Sequence, residues 1–130
     1  MTAEALLCRQ YLGWKQNDPR LVDAANYLNQ VGLNWDRRNA YYWYYATQVL
    51  HHMEGEHWKK WNRVMKQLLP TMQVKSGKEA GSWHTDGDAW APHGGRLYVT
   101  CLHLYMLEVY YRHLPIYQYR VYAETERQKQ

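Results

Sequence analysis

The stretch Tyr44-Tyr45-Ala46-Thr47-Gln48-Val49-Leu50 recurs in residue type 53 positions later, as Leu97-Tyr98-Val99-Thr100-Cys101-Leu102-His103. Each copy follows a polar loop that ends in a tryptophan-bearing segment, and each runs into an apolar segment that ends near a methionine, Met53 or Met106. Recurrence at a period of this length is the sequence signature of repeat proteins, in which helical hairpins stack on their neighbours. The stretch therefore predicts an all-α fold built from αα-hairpins.

The apolar pattern along the rest of the chain predicts helices of two alternating kinds. Residues 40–50 are apolar or aromatic almost all round, as expected for a helix enclosed on every side, and residues 97–112 have the same character. The segments between them are amphipathic. One begins at Asp18-Pro19, a favoured helix start, and another follows Gly55 with a basic stripe opposite its apolar face. A short helix precedes them, so the order is inner, outer, inner, outer, inner, which gives two layers.

Two segments lack a helical pattern. Residues 74–95 contain most of the glycines, and we predict a long loop there, of a length typical of functional loops or of packing between repeats. The last inner helix is expected to start near Gly95. Residues 124–130 have no apolar stripe and are predicted to be frayed, within a C-terminal tail at residues 118–130. We therefore expect one domain at residues 1–117, followed by this tail.

The composition describes one domain with an unusual core. The 130 residues include thirteen tyrosines, seven tryptophans and no phenylalanine, so many large side chains carry an O–H or N–H group that needs a partner when buried. The net charge of +4 is too small to indicate a nucleic-acid partner. Cys8 and Cys101 lie in apolar helical patterns and are expected to be free thiols. We predict a soluble protein without a membrane span, cytoplasmic by default if the N-terminus is genuine.

Two degenerate Gln…Gly…Trp elements stand between the predicted helices. The first is Gln30-Val31-Gly32-Leu33-Asn34-Trp35, and in the second Gln73-Val74-Lys75-Ser76-Gly77 leads, after an insertion, to Gly81-Ser82-Trp83. The block Gly94-Gly95-Arg96-Leu97-Tyr98-Val99-Thr100 then places a glycine pair before an inner helix. Over residues 3–117 these features resemble the αα-toroid of terpenoid cyclases and protein prenyltransferases, built from squalene-cyclase repeats. Both elements depart from the spacing of that family.

The resemblance implies part of an α/α toroid, with inner apolar helices and outer amphipathic helices. In that class the glutamine caps a neighbouring helix and the tryptophan stacks over it. This implies structural roles for Gln30, Trp35, Gln73, Gly77, Trp83, Gly94, Gly95, Thr47 and Thr100. The chain holds about two and a half hairpins, fewer than a complete toroid. The implied partner is the remainder of a longer toroid protein or another copy of this chain, because apolar inner helices cannot face water.

The catalytic motifs of these families are incomplete in this chain. Squalene-hopene cyclases use an Asp-x-Asp-Asp acid, whereas the nearest string here, Asp86-Gly87-Asp88-Ala89, lacks the last carboxylate. We expect it to cap a helix or to be solvated, with calcium binding as a less favoured alternative. The zinc triad of prenyltransferases and the Cys-Gly-Glu-Gln thioester of complement-type domains are also missing. Cys101 and His103 project about 200° apart around a helix and cannot easily share a metal.

The segment His51-His52-Met53-Glu54-Gly55-Glu56-His57 has the residue types of a metal site but not the order His-Glu-x-x-His. Histidines at a helix end are also favoured by the helix dipole, and we expect that explanation here. The sequence therefore predicts no catalytic residue, no cofactor and no metal, and it favours a protein that is not an enzyme.

Aromatic residues are the remaining candidates for a site. The run from Tyr41 to Tyr45 is joined by tyrosines on the other inner helix, and aromatic faces can hold an apolar chain. The candidate ligand-binding residues are Tyr41, Trp43, Tyr44, Tyr45, Tyr98 and Tyr105. A purely structural role is the alternative, since the inner helices of any toroid are packed with large residues.

We therefore predict a non-catalytic αα-toroid repeat module that serves packing and binding, with an apolar isoprenoid-like ligand or a protein as partner. One alternative is a fragment of a terpene or squalene cyclase-like enzyme whose catalytic acid lies outside this chain. Another is a protein-interaction surface formed by the concave face and the loop at 74–95.

Overall fold

The computed structural model describes residues 2–118, and helices are its only regular elements within that range. They are α1 (Thr2–Tyr11), α2 (Pro19–Val31), α3 (Ala40–Met53), α4 (Gly55–Met72), α5 (Ala91–Leu107) and α6 (Val109–Arg112), with a 3-10 turn at Trp35–Arg37. The predicted all-α class is confirmed. No helix among the described residues is both long enough and apolar enough to cross a membrane. The predicted tail lies, apart from Gln118, outside the described residues.

The helices form two layers, with α3 at the centre of one of them. Helices α1 and α5 both pack against α3, and α2 and α4 pack against each other and against α3. The inner layer is therefore α1, α3 and α5, and the outer layer is α2 and α4. Every residue of α3 from Ala46 to Met53 is buried, as are Ala40 and Trp43. This is expected for a helix with neighbours on several sides.

Side-chain caps set where the helices of the first two hairpins begin. The Asp18 carboxylate accepts the N–H of Arg20 at 3.0 Å, with Pro19 as the first helical residue of α2. Asn39 caps α3 in the same way through the N–H of Tyr42 at 2.9 Å. Between α3 and α4 the chain turns through the single residue Glu54, whose φ of 55° lies in the left-handed region. The predicted start of α2 is thus confirmed.

Helix α4 shows how the two layers are held together. Its residues Trp61, Met65 and Leu69 are buried at helical spacing, whereas the predicted basic stripe is exposed. The indole N–H of Trp61 donates to Thr47 Oγ1 at 2.9 Å, and that hydroxyl donates to the carbonyl of Trp43 at 2.7 Å. Thr47 therefore satisfies a buried indole of the outer layer from inside the inner layer.

The loop between α4 and α5 is shorter than predicted and is folded around Trp83. This side chain is fully buried, and its indole N–H donates to the carbonyl of Leu69 at 2.8 Å, one of the last four carbonyls of α4. Helix α5 begins with one turn from Ala91, and the non-helical φ of 69° at Gly95 separates that turn from the long helical run that follows it. The predicted start near Gly95 is therefore confirmed for the long run, whereas the preceding turn was not predicted.

Helix α5 is less enclosed than the sequence predicts. Its buried residues include Val99 and Met106, but Leu97 is 77% exposed and Leu104 is 39% exposed. The expectation that residues 97–111 are enclosed all round is therefore wrong for the described part of the chain. The physical reason is that α5 stands at the end of the inner layer, where helices α3 and α4 cover one side of it.

The residues that the resemblance assigns to the repeats have unequal environments. Thr100 Oγ1 accepts the N–H of Trp83 at 3.4 Å, which joins α5 to the loop. The Gln73 side chain donates to the carbonyl of Gly81 at 2.8 Å, within its own loop, so the implied capping of a neighbouring helix is not observed for it. Gln30 is exposed on α2, and Gly77 has a φ of 80° in a turn of the loop. Cys8 and Cys101 are free, as predicted.

Candidate functional site: an open aromatic cavity

Asp88 joins the starts of the two helices that form the site. One carboxylate oxygen accepts the N–H of Ala40 at 2.7 Å, and the other accepts the N–H groups of Trp90 and Ala91 at 2.9 and 3.0 Å. The carboxylate is buried, and hydrogen bonds from backbone N–H groups to a charged acceptor are among the stronger ones in proteins. Of the alternatives for the string at 86–89, capping is confirmed for Asp88, while Asp86 is exposed.

A cavity of ≈640 Å³ opens on the inner layer beside this junction. It is lined by residues of α1, α3 and the start of α5, namely Glu4, Tyr41, Trp90, His93, Gly94 and Tyr98. The lining is mostly apolar, and its volume falls in the range of small-molecule sites. The Asp88 carboxylate accepts hydrogen bonds from the N–H groups of Ala40, the residue before Tyr41, and of Trp90. It therefore positions the backbone at two of the aromatic walls, Tyr41 and Trp90.

Gly94 allows the wall formed by Tyr98 to lie close to the backbone of α5. A Cβ atom at position 94 would stand 2.5 Å from Cγ of Tyr98, closer than side-chain atoms approach in real structures. This close approach is the physical requirement for glycine at that position, which the resemblance treats only as part of a repeat.

A series of ring contacts extends from the cavity along α3. Trp90 lies 6.1 Å from Tyr41, and Tyr41 lies 4.9 Å from Tyr45, measured between ring centroids. Tyr45 in turn lies 5.1 Å from Tyr44, which lies 6.1 Å from Tyr105 on α5. These distances are typical of favourable edge-to-face and tilted aromatic pairs. The rings therefore form one continuous aromatic surface on the inner layer.

Two tyrosines of this surface, Tyr45 and Tyr98, are held in the neutral form by a raised pKa. Burial is the main cause that raises the pKa of Tyr45 to about 12, with the hydrogen bond to Tyr41 as the next cause. Burial likewise raises the pKa of Tyr98, and the negative charge of Asp88 adds to the effect. Neutral phenols present their π-faces to the cavity without bringing a charge of their own.

A second aromatic cluster on the same pair of helices is closed. His103 of α5 is 1% exposed and lies 6.1, 6.0 and 5.2 Å from the rings of Trp35, Trp43 and Trp83. Burial lowers the pKa of His103 to about 4, so its imidazole is neutral near pH 7. We call these four residues the tryptophan cage. Its space is filled by the protein's own side chain, so it has no room for a ligand.

The structure separates the six predicted ligand-binding residues into two groups. Tyr41 and Tyr98 line the cavity, and Tyr44, Tyr45 and Tyr105 continue its aromatic surface. The sixth, Trp43, is 2% exposed and belongs to the tryptophan cage. The helical period explains this, because position 43 is about 200° around the helix from both position 41 and position 45.

Sequence reasoning missed Glu4, Trp90 and His93 as lining residues. Glu4 comes from the first helix and Trp90 from the end of a loop, and their meeting with α3 depends on tertiary packing. Gly94 was identified, but as a repeat residue. For Trp90 the available signal was its place two residues after Asp88, since a helix-capping carboxylate brings the following residues to the helix start.

His51 and His52 of the segment 51–57 do not behave as expected for a helix end in solvent. His51 and His52 are 5% and 1% exposed, and burial lowers the pKa of both, that of His52 to about 4. They are therefore neutral near pH 7, and attraction of a charged imidazole to the helix dipole does not explain them. Among residues 2–118, no group of three or more His, Cys, Asp and Glu side chains is placed to hold a metal ion.

Comparison with protein families, with curated proteins and with solved structures finds no match to this chain. The fold and the cavity are therefore the basis for an inference about function. Residues 2–118 form helical hairpins, with an aromatic cavity that opens on the inner layer and with the closed tryptophan cage.

Proposed function

We propose that this chain is a non-catalytic αα-hairpin module, of the αα-toroid class that its sequence resembles, and that it binds an apolar ligand in the aromatic cavity. The observation that carries the proposal is the cavity of ≈640 Å³, whose walls include Tyr41, Trp90 and Tyr98. A volume and a lining of this kind are those of small-molecule sites, which are mostly apolar and few in each protein.

The arrangement of the walls supports binding over simple packing. Asp88 holds the backbone at the base of two walls, and Gly94 leaves room for the third. A site whose walls are set before the ligand arrives loses less conformational entropy on binding. Trp90 is 48% exposed although it is one of the largest apolar side chains, which is the expected state of a wall that a ligand covers.

A titration with farnesol, a neutral isoprenoid alcohol, tests the proposal. We expect farnesol to change the tryptophan emission in a saturable manner, because Trp90 lines the cavity. Tyr41→Ala removes one wall and should weaken binding about tenfold, the effect of losing a large apolar contact. Tyr111→Ala is the matched control, since Tyr111 is 92% exposed on α6 and does not line the cavity.

Two results would contradict this function. The first is an emission change that does not saturate, which indicates partitioning of farnesol without a site. The second is equal weakening by Tyr41→Ala and Tyr111→Ala, which indicates binding elsewhere.

A separate observation favours packing as a second role. Leu97 and Leu104 of α5 and Tyr111 of α6 are exposed on the last helices of the inner layer. Such a surface supports burial against the remainder of a longer toroid protein or against another copy of this chain. Sedimentation equilibrium tests the second possibility. Self-association that Leu97→Glu abolishes would support it, and a monomer over the whole concentration range would exclude it.

A further inference from the structure

We infer that a second cavity of this chain, separate from the aromatic one, binds a small carboxylate with an apolar body. This cavity of ≈510 Å³ opens between the C-terminal end of α2, the 3-10 turn and the starts of α1 and α3. Its described lining shares no residue with the aromatic cavity, so the inference does not depend on the proposed function. We call it the polar cavity, and the lining residues that carry the inference are Tyr27, Val31, Asn34, Arg37, Asn39 and Trp43.

Two asparagines of the polar cavity already use their side-chain oxygens. Oδ1 of Asn34 accepts the N–H of Asp36 at 2.9 Å, and Oδ1 of Asn39 accepts the N–H of Tyr42 at 2.9 Å. Because a backbone N–H needs an oxygen acceptor, these bonds fix which end of each side-chain amide is the NH2 group. Within the described range 2–118, neither NH2 group donates a hydrogen bond. Both asparagines therefore favour a ligand that accepts hydrogen bonds.

Trp43 brings a buried donor to the same cavity. Trp43, Trp61 and Trp83 are the most buried tryptophans of the described chain, with at most 2% exposure. The indole N–H of Trp61 donates to Thr47, and that of Trp83 donates to the carbonyl of Leu69. The indole N–H of Trp43 has no acceptor among the described residues, and its nitrogen is not closed off from solvent. Since buried indole N–H groups normally have a partner, an occupant of the polar cavity is the available acceptor.

The Arg37 guanidinium is the only charged group among the described lining residues. It makes no ion pair, hydrogen bond or ring stack with any residue in the described part of the chain, and this includes the neighbouring Asp36. Burial is the main cause of the raised pKa of Tyr42, and the charge of Glu4, which lines the other cavity, is the smallest cause. The local charge therefore favours an anion.

The shape of the site restricts this anion further. A single guanidinium matches a single carboxylate, whose planar group it can bind through two parallel hydrogen bonds. A volume of ≈510 Å³ greatly exceeds one carboxylate, so the ligand carries a body as well. Tyr27 and Val31, on the last turns of α2, are 53% and 47% exposed and offer apolar contact to that body.

Calorimetric titration with an acid and its neutral amide tests the inference. The probes 3-phenylpropanoate and 3-phenylpropanamide have nearly the same shape and differ in the negative charge. We expect the acid to bind about tenfold more tightly, because charge-assisted hydrogen bonds are stronger than neutral ones. Arg37→Gln should remove most of this preference. Arg63→Gln, which removes the same charge from an exposed position of α4, is the matched control and should retain it.

Nuclear magnetic resonance of the indole N–H groups locates the bound acid without a change to the core. The indole proton signal of Trp43 should move downfield in a saturable manner as 3-phenylpropanoate is added, because its N–H acquires a charged acceptor. The signals of Trp61 and Trp83 are internal controls and should stay unchanged, since both N–H groups already have acceptors.

The contrary results are distinct from those of the farnesol titration. Equal affinities for the acid and the amide would overturn the inference, and so would the absence of saturable binding, which would show that solvent alone occupies the polar cavity. A preference that persists in Arg37→Gln, or an unmoved Trp43 signal while the acid binds, would overturn the assignment to this cavity. None of these results bears on farnesol binding in the aromatic cavity.

Discussion

The open cavity and the tryptophan cage both include residues of α3 and α5, yet the first is an opening and the second is filled by a side chain of the protein. In the cage, three tryptophans enclose His103, which is 1% exposed. In the cavity, Tyr41, Trp90 and Tyr98 stand around open space. The difference teaches that aromatic residues in this chain form either core or the wall of an open cavity, according to the side of α3 and α5 on which they lie.

The two regions also differ in their polar groups. The cage holds a neutral imidazole whose pKa is lowered to about 4 by burial. The cavity is bordered by carboxylates, Glu4 within the lining and Asp88 beneath the walls. The cage therefore encloses a polar ring that burial keeps uncharged, whereas the aromatic walls of the cavity lie beside a carboxylate. Four predictions test this contrast, starting with the largest expected effect.

Asp88→Ala should destabilise the fold and abolish the cavity together. It leaves the N–H groups of Ala40, Trp90 and Ala91 without their acceptor, and we expect the free energy of unfolding to fall by about 3 kcal/mol. Urea denaturation measures the loss, and farnesol binding reports on the cavity. Asp86→Ala is the control, because Asp86 is exposed two residues away and should change neither quantity. Equal effects of the two variants would show that Asp88 does not hold the helix starts.

Acid should destabilise the protein through the tryptophan cage. The pKa of His103 is about 4 in the folded chain, against an ordinary value of 6.5. The stability from this neutral imidazole is fully present above pH 6.5 and is lost as the pH falls toward 4, because the unfolded chain then binds the proton more readily. At pH 5 the loss due to His103 is about 2 kcal/mol.

Denaturation at pH 7.5 and pH 5 measures this contribution by difference. His103→Phe removes the titrating group and should reduce the acid-induced loss by the amount assigned to His103. His84→Gln, at an exposed position of the loop, should retain the full loss. An unchanged pH dependence in His103→Phe would contradict the account of the cage. His52, whose pKa is also lowered to about 4, contributes to the remaining loss.

Gly94→Ala should damage the cavity and leave the cage intact. The added Cβ forces the Tyr98 ring away from its position, and such overpacking costs about 1.5 kcal/mol. In a Tyr98→Gly background, which removes Cβ of Tyr98, 2.7 Å from the added atom, as well as the ring, the same change should be neutral or slightly stabilising, since alanine favours helices over glycine. Thermal denaturation of the four proteins measures the coupling. Additive effects would show that the Gly94 backbone does not limit the place of Tyr98.

Tyr105→Ala should have the smallest effect. Tyr105 ends the series of ring contacts, is 36% exposed and stacks with Arg112 at 3.9 Å. Loss of an exposed cation–π pair lowers stability by about 0.5 kcal/mol. Because Tyr105 does not line the cavity, farnesol affinity should stay within about twofold of the wild type. A tenfold weakening would extend the binding site along the whole aromatic surface.

Local periodicity predicted the layers and the outward face of α4, because each depends on neighbours three and four positions apart. The burial of Trp43 away from Tyr41 and Tyr45 was also available from the helical period and was missed. The first turn of α5 has no apolar period and depends on the capping carboxylate of Asp88, so the pattern alone placed its start near Gly95.

The cavity depends on information that no local pattern contains. Glu4 and Trp90 lie far apart in sequence and meet only because α1 and α5 both pack next to α3. Likewise, burial lowers the pKa of His52, and the polar residues around it in the chain gave no indication that it is buried. The sequence therefore predicted that aromatic residues of the inner helices form the candidate site. It did not predict which residues line the cavity together.

Nuclear magnetic resonance of the labelled chain during titration with farnesol tests the central claim most directly. If the open cavity is the binding site and the cage is core, the amide signals of Tyr41, Gly94 and Tyr98 shift in a saturable manner, while those of Trp35 and Trp83 stay unchanged. Shifts centred on the cage, or no saturable shifts at the cavity, would contradict the account.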